Sequence, residues 1–116
     1  NRQELWTKTI GGSMGITGRG FQKVSDDEYM MSCSLFDNGK SSYNAYIIKV
    51  GDSGDIIWDK IFGGEESDRA RSIVQTLDGG YAIAGSTCNY GNGNKVNPDL
   101  WLIKTDSEGY SKNFDD

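Results

Sequence analysis

The chain contains two copies of one pattern, and this repeat constrains its fold more than any single segment does. The segment Trp6-Thr7-Lys8-Thr9-Ile10-Gly11-Gly12 aligns with Trp58-Asp59-Lys60-Ile61-Phe62-Gly63-Gly64, 52 positions later. Residues 45–49 align with residues 100–104 at an offset of 55, so the second copy is 3 residues longer. A period of about fifty residues is typical of propellers and solenoids. We expect one structural segment, 1–116, with repeats at about 6–57 and 58–112.

Each repeat holds four short candidate strands separated by turn residues. In the second repeat these are residues 56–61, 71–76, 81–86 and 100–105. The 16 glycines, the single proline and the 11% aromatic content suit short strands joined by tight turns. Four antiparallel strands in one repeat correspond to one β-propeller blade. The predicted fold is therefore all-β, with two propeller blades in the chain.

The order of the predicted strands leaves one strand spare and another missing. Residues 5–10 form an outer-type strand that precedes the first blade, and no equivalent strand follows Gly109. Propellers have about 4–8 blades, so two blades do not close a ring. We expect the ring to be completed by other copies or by a longer parent chain. Three copies would give six blades and four would give eight, whereas a contact that does not close would build a filament.

Three motifs in the second repeat carry a family resemblance. They are Trp58-x-Lys60-x-Phe62-Gly63-Gly64, Gly79-Gly80-Tyr81-x-Ile83-Ala84-Gly85-Ser86-Thr87 and Asp99-x-Trp101-Leu102-Ile103-Lys104-Thr105-Asp106-x-x-Gly109. The chain resembles the repeats of secreted bacterial and archaeal β-propeller proteins, which are distantly quinoprotein-like. The first copy departs from the pattern, with Asp27 and Glu28 in place of the double glycine and Cys33 in place of the third glycine.

This resemblance implies a propeller fold and an extracellular or cell-surface location, and it brings no activity with it. The segment from Gly54 to Trp58 also resembles the tryptophan-docking turn of quinoprotein propellers. In that turn a buried indole joins one blade to the loop of the next.

Composition excludes several functional classes. The net charge is -5 and the basic residues are scattered, so nucleic acid is not an expected partner. No apolar run approaches the ~20 residues of a membrane-spanning helix. The absence of histidine and of spaced ligand motifs predicts no metal site, no cofactor and no enzymatic activity. Cys33 and Cys88 form either a disulfide or two separate thiols.

The polar loops supply the candidate ligand-binding residues. In a four-stranded meander these loops emerge at one end, where binding residues often lie. The candidates are Asp37, Asn38, Tyr43, Asn89, Tyr90, Asn92 and Asn94. A merely flexible surface loop explains the same composition.

Tryptophans and arginines recur at equivalent repeat positions. We expect Trp6, Trp58 and Trp101 to pack between blades, with stacking on a sugar as the alternative. Arg19 and Arg71 are placed near the central channel, where they would pair with a carboxylate such as Asp68 or Glu66, or hold an anionic ligand.

These patterns favour a structural or interaction role for the chain at the cell surface. Copies would assemble by exchange of the outer strand. The alternative is a carbohydrate-binding oligomer of lectin type.

Overall fold

The computed structural model describes residues 7–11, 15–89 and 98–111. Within these ranges the chain forms seven β-strands and no helix, which confirms the all-β prediction. The strands are β1 Ile16–Ser25, β2 Glu28–Asp37, β3 Ser42–Gly51, β4 Ile56–Phe62, β5 Asp68–Gln75, β6 Tyr81–Thr87 and β7 Asp99–Thr105.

The strands make two antiparallel sheets in which neighbours along the chain are neighbours in space. The first sheet has the order β1-β2-β3-β4 and the second has the order β5-β6-β7. The strands end in short turns: Gly54 and Gly79 lie in the β3–β4 and β5–β6 turns and Gly109 in the turn after β7, with φ angles of 89°, 87° and 88°. Few residues other than glycine tolerate this left-handed conformation. The turn glycines of the sequence therefore mark the ends of strands.

Two features of the sheets differ from the sequence prediction. β4, which carries Trp58, pairs with β3. The first sheet therefore includes residues beyond 57, where the first sequence repeat was predicted to end. Residues 7–10 form no strand, although residues 5–10 were predicted as one, and residues 5 and 6 lie outside the described ranges. A strand requires a hydrogen-bonding neighbour, and residues 7–10 have none within the described chain.

The first strand of each sheet has a β-bulge at the same repeat position. The register of β1 shifts between Gly18 and Gly20, and that of β5 shifts between Ala70 and Ser72. Arg19 and Arg71 are the extra residues, and both are exposed. A bulge leaves its extra residue unpaired and re-aims its side chain. The two repeats therefore share this β-bulge as well as their sequence pattern.

The two sheets pack face to face around a shared core. This core combines residues of the first sheet with residues of the second: Met30, Ala45, Ile47 and Phe62 on one side, and Ala70, Ile73, Tyr81, Ile83, Trp101 and Ile103 on the other. The opposite side of the first sheet, which we call the front face, carries a second apolar cluster. The front face comprises Phe21, Tyr29, Met31, Cys33, Leu35, Tyr46, Ile48 and Val50.

Candidate functional site

Three polar loops meet at one end of the two sheets. Lys40, in the β2–β3 loop, donates hydrogen bonds from Nζ to the Asn44 side-chain oxygen at 3.1 Å and to the Gly64 carbonyl. Ser42 Oγ donates a hydrogen bond at 3.0 Å to the carbonyl of Glu65, the residue after Gly64. These bonds join the first sheet to the β4–β5 loop that leads into the second. The loops therefore form one surface, here called the loop end.

Asp68 is the centre of this loop end, and its side chain is fully buried at the start of β5. Oδ2 accepts hydrogen bonds from the Gly64 amide at 2.9 Å and from Asn89 Nδ2 at 2.7 Å. Oδ1 accepts from the Thr87 hydroxyl and from the Cys88 amide at 3.3 Å. One carboxylate thus holds the β4–β5 loop onto the end of β6. The sequence pattern predicts Asp68 only as a partner for arginine, since nothing around it in the sequence indicates four hydrogen-bond donors.

The predicted ligand-binding residues within the described ranges are largely engaged with the protein itself. Asn89 accepts from the Glu66 amide at 3.1 Å and donates to the Glu66 carbonyl at 2.8 Å. Asp37 accepts from the Gly39 amide at 2.9 Å. The ring of Tyr43 lies edge-on to Phe36 and under the guanidinium of Arg69, 4.3 Å from ring centroid to Cζ.

The remaining predicted ligand-binding residues fall into two groups. Asn38 lies in the β2–β3 turn. Tyr90, Asn92 and Asn94 lie outside the described residues. The structure therefore brings Asp37, Asn38, Tyr43 and Asn89 to the same end of the two sheets.

A polar recess opens at the loop end beside these contacts. Its volume is about 470 Å³, and it is lined by Lys40, Ser41, Ser42, Glu65, Glu66 and Ser67. Hydroxyl, carboxylate and ammonium groups of this kind hydrogen-bond polar ligands. Lys40 and Ser42 already donate to carbonyls of the β4–β5 loop, which reduces the number of free donors in the recess.

Trp58 on β4 reaches across to the second sheet. Its ring lies edge-on to Tyr81, with 6.0 Å between centroids. A Cβ atom on Gly109 would come within 2.6 Å of the indole, so only glycine lets the turn after β7 approach so closely. Beside it, Lys60 Nζ stands 3.5 Å from the centre of the Tyr110 ring. β4, the last strand of the first sheet, therefore packs against Tyr81 and against the turn that follows β7 in the second sheet.

Trp101 is 9% exposed and belongs to the shared core, while Trp6 lies outside the described residues. Arg19 and Arg71 are exposed, and neither makes an ion pair with another residue in the described ranges. Among the described residues neither arginine pairs with Asp68, whose carboxylate instead accepts hydrogen bonds from four donors of the loops. Pairing with Glu66 or with an anionic ligand stays a prediction.

The second sheet has an exposed apolar face. Among the described strands β7 pairs with β6, and Leu100 and Leu102, on the side of β7 directed away from the first sheet, are 86% and 74% exposed. The equivalent residues in the first sheet, Ala45 and Ile47, are both 0% exposed because the second sheet covers them. We call the side of the second sheet that carries Ala82, Ala84, Leu100 and Leu102 the back face.

An apolar cavity of about 470 Å³ opens on the front face of the first sheet. Phe21 is 66% exposed there and stacks on Tyr29, with 5.4 Å between ring centroids. The lining residues are Lys8, Ile10, Phe21, Tyr29, Met31, Val50, Asp52 and Gly54. Apart from the ends of Lys8 and Asp52, the cavity presents aromatic and aliphatic groups, so it suits an apolar occupant.

The shifted titratable groups do not include an activated nucleophile. Both cysteines are free thiols: burial raises the pKa of Cys33 to about 11, and burial also raises the pKa of Cys88, assisted by Asp68. Burial and the 2.6 Å hydrogen bond donated to Asp59 raise the pKa of the Tyr46 hydroxyl. The Thr76 hydroxyl and the Gly80 amide lower the pKa of the Asp78 carboxyl. A thiolate nucleophile requires a lowered pKa, so neither thiol fits that role.

Within the described residues, no three acidic, cysteine or histidine side chains gather closely enough to hold a metal ion. The described residues form no helix, and hence none long and apolar enough to cross a membrane. Comparison of the chain with protein-family models and with curated proteins finds no match in either set.

Proposed function

We propose that this chain is a non-catalytic structural module of an extracellular or cell-surface β-propeller, and that its copies assemble by exchange of an outer strand. The observation that carries this proposal is the pairing of β4 with β3, because residues 4–10 repeat the sequence of β4 and precede the first sheet in the chain. Among the described residues the first sheet has four strands and the second has three, although the repeat gives both the same first three strands. The surface location rests on the resemblance of the repeat to secreted propeller proteins.

The fourth strand of the first sheet has a counterpart in the sequence. In the first sheet β4, Ile56–Phe62, pairs with β3. Residues 4–10 precede these residues by 52 positions and carry the same tryptophan and lysine. In the second sheet, the strand equivalent to β3 is β7. Residues 4–10 of a second copy therefore match β7 as β4 matches β3, through pairing of backbone groups at the edge of a sheet.

The position of residues 7–10 supports the same arrangement. Lys8 and Ile10 lie against the front face of the first sheet. Their equivalents, Lys60 and Phe62, lie against the second sheet in the same way, through Tyr110 and the shared core. A strand that pairs with β7 of one copy while its side chains pack on its own first sheet would link the two copies.

Proline substitution in this strand tests the exchange. Thr7→Pro with Thr9→Pro removes two backbone donors, and we expect the assembled mass to fall to the 12.8 kDa of a single chain by light scattering. The matched control, Thr7→Ala with Thr9→Ala, keeps both donors and should keep the assembled mass. A wild-type protein that stays a single chain at every concentration would refute strand exchange, and so would a proline variant that assembles normally.

Carbohydrate binding by such an oligomer is the second candidate function, and the polar recess at the loop end favours it. Its hydroxyl and carboxylate groups, with Tyr43 nearby, are the kinds of side chain that bind sugar hydroxyls. We expect assembled wild-type protein to bind at least one glycan on an array, and Glu65→Ala with Glu66→Ala to bind it at least tenfold more weakly. A blank array with assembled protein would remove this candidate.

A further inference from the structure

We infer that the back face of the second sheet binds the front face of the first sheet in another copy, by the packing that joins the two sheets within one chain. This inference rests on the proposed assembly between copies and names the surfaces that meet. It is carried by residue equivalence between the two sheets and concerns side-chain faces, whereas strand exchange concerns the backbone edge of β7.

The front face of the first sheet is equivalent, by the repeat, to the face of the second sheet that packs against the first sheet. Five front-face residues correspond, at offsets of 52 and 55, to five residues of the shared core. The residues Phe21, Tyr29, Met31, Tyr46 and Ile48 match Ile73, Tyr81, Ile83, Trp101 and Ile103 in that order. Every one of the five in the second sheet is covered by the first sheet. Tyr46 and Ile48 are already buried within one chain, so the part of the front face that can receive a sheet is the cavity beside Phe21, which is 66% exposed.

The back face of the second sheet is equivalent, by the repeat, to the face of the first sheet that packs against the second sheet. Met30, Ala45 and Ile47 of the first sheet contact the second sheet, and all are completely buried. Their equivalents are Ala82, Leu100 and Leu102. Leu100 and Leu102 are instead the two most exposed side chains of β7. A soluble chain gains free energy by burying such apolar area, at about 25 cal/mol per Å².

The sizes of the facing side chains are complementary. On the back face, leucines replace the smaller Ala45 and isomeric Ile47 of the internal interface. On the front face, the apolar cavity of about 470 Å³ beside Phe21 and Tyr29 is open to an occupant. Leucine side chains from the back face of another copy are apolar, as the cavity lining is, and they are large enough to help fill the cavity.

The two surfaces lie on different sheets of the chain, so the contact between copies is heterologous. The front face is directed away from the second sheet, and the back face is directed away from the first. Each copy therefore offers one receiving and one covering surface. Repeating such a contact gives a closed ring or an open filament, never a symmetric pair of identical surfaces.

Two charge substitutions separate the two surfaces. Leu102→Glu disables the back face and Phe21→Glu disables the front face, and both side chains are exposed, so the fold should tolerate each change. We expect each variant alone to have the 12.8 kDa mass of one chain. An equimolar mixture keeps one intact interface and should give a complex of two chains and no larger species. Leu77→Glu, at an exposed leucine in the β5–β6 turn, is the matched control and should assemble as the wild type does.

The outcomes distinguish this inference from the proposed strand exchange. If the Leu102→Glu and Phe21→Glu variants assemble like the wild type, or if their mixture stays at the mass of one chain while both remain folded by circular dichroism, the face-to-face contact is wrong. If they lose assembly and restore a two-chain complex while Thr7→Pro with Thr9→Pro still assembles, the faces are correct and the exchanged strand is not needed. Assembly of Phe21→Glu alone would point to back-to-back pairing and would overturn the heterologous contact.

Discussion

The Gly85→Ala variant is expected to be less stable than the wild type by about 3 kcal/mol. A Cβ atom at this position would overlap the Arg69 carbonyl oxygen and stand 3.1 Å from the Ala70 Cα. Both atoms belong to the backbone of β5, which pairs with Gly85 in the ladder. No side-chain rotation relieves such an overlap, so the two strands must separate. The loss should appear as a lower urea midpoint with an unchanged slope.

Gly18→Ala is the matched control for this variant. Gly18 also lies in a strand, paired with Cys33, and an added Cβ would meet nothing within 4 Å. Its stability should stay within about 0.5 kcal/mol of the wild type. Equal stabilities of the two variants would contradict the close approach of β5 and β6 as the reason for glycine at position 85, because backbone entropy alone would make alanine the more stable residue.

The Asp68→Ala variant is expected to lose about 3 kcal/mol of stability. The substitution removes the acceptor of the Gly64 and Cys88 amides and of the side chains of Thr87 and Asn89. Donors left without an acceptor in a buried place cost more than the hydrogen bonds themselves contribute. Asp68→Asn keeps one acceptor oxygen and should lose less.

The effect of Asp68→Ala should be concentrated at the loop end. Amide hydrogen exchange at Gly64 and Cys88 should accelerate by at least tenfold relative to that of the β2–β3 ladder. Asp26→Ala is the control, since Asp26 is exposed in the β1–β2 turn, and its stability should change by no more than about 0.5 kcal/mol. A variant at residue 68 as stable as the Asp26 control would remove the central role of this carboxylate.

Much of the local structure followed from sequence pattern. The predicted strands at 81–86 and 100–105 differ from β6 and β7 by one residue at one end. The strand predicted at 71–76 begins instead at Asp68, three residues earlier. Its first two residues are polar, since Asp68 accepts hydrogen bonds from the loops and Arg69 lies over the ring of Tyr43. Alternation of apolar residues does not detect a strand that begins in this way.

The candidate site was less predictable than the strands. The order of the predicted strands placed Asp37, Tyr43 and Asn89 at one end of the sheets, because every second connection of a meander emerges at the same end. In the structure these residues lie at the loop end. It did not indicate that Asn89 is bound to Glu66 and Asp68, because these partners lie 21 to 23 positions away in the chain. Distant contacts of this kind depend on how the two sheets are placed against each other.

The sequence by itself determined the all-β class, the order of the strands and the turns that separate them. These properties are local: alternating side chains, and glycines in turns with positive φ, act over a few residues whatever the rest of the chain does. The bulges at Arg19 and Arg71 occupy equivalent positions of the 52-residue repeat, but the sequence pattern did not predict them.

Only the tertiary structure decided which strands share a sheet and which surfaces stay open. It joined β4 to the first sheet, placed residues 7–10 outside both described sheets, and buried Ala45 and Ile47 while exposing Leu100 and Leu102. Equivalent residues have different surroundings because hydrogen-bonded pairing and burial depend on the neighbour that is present, and a repeat contains no information about its neighbour. The exposed back face of the second sheet is the result.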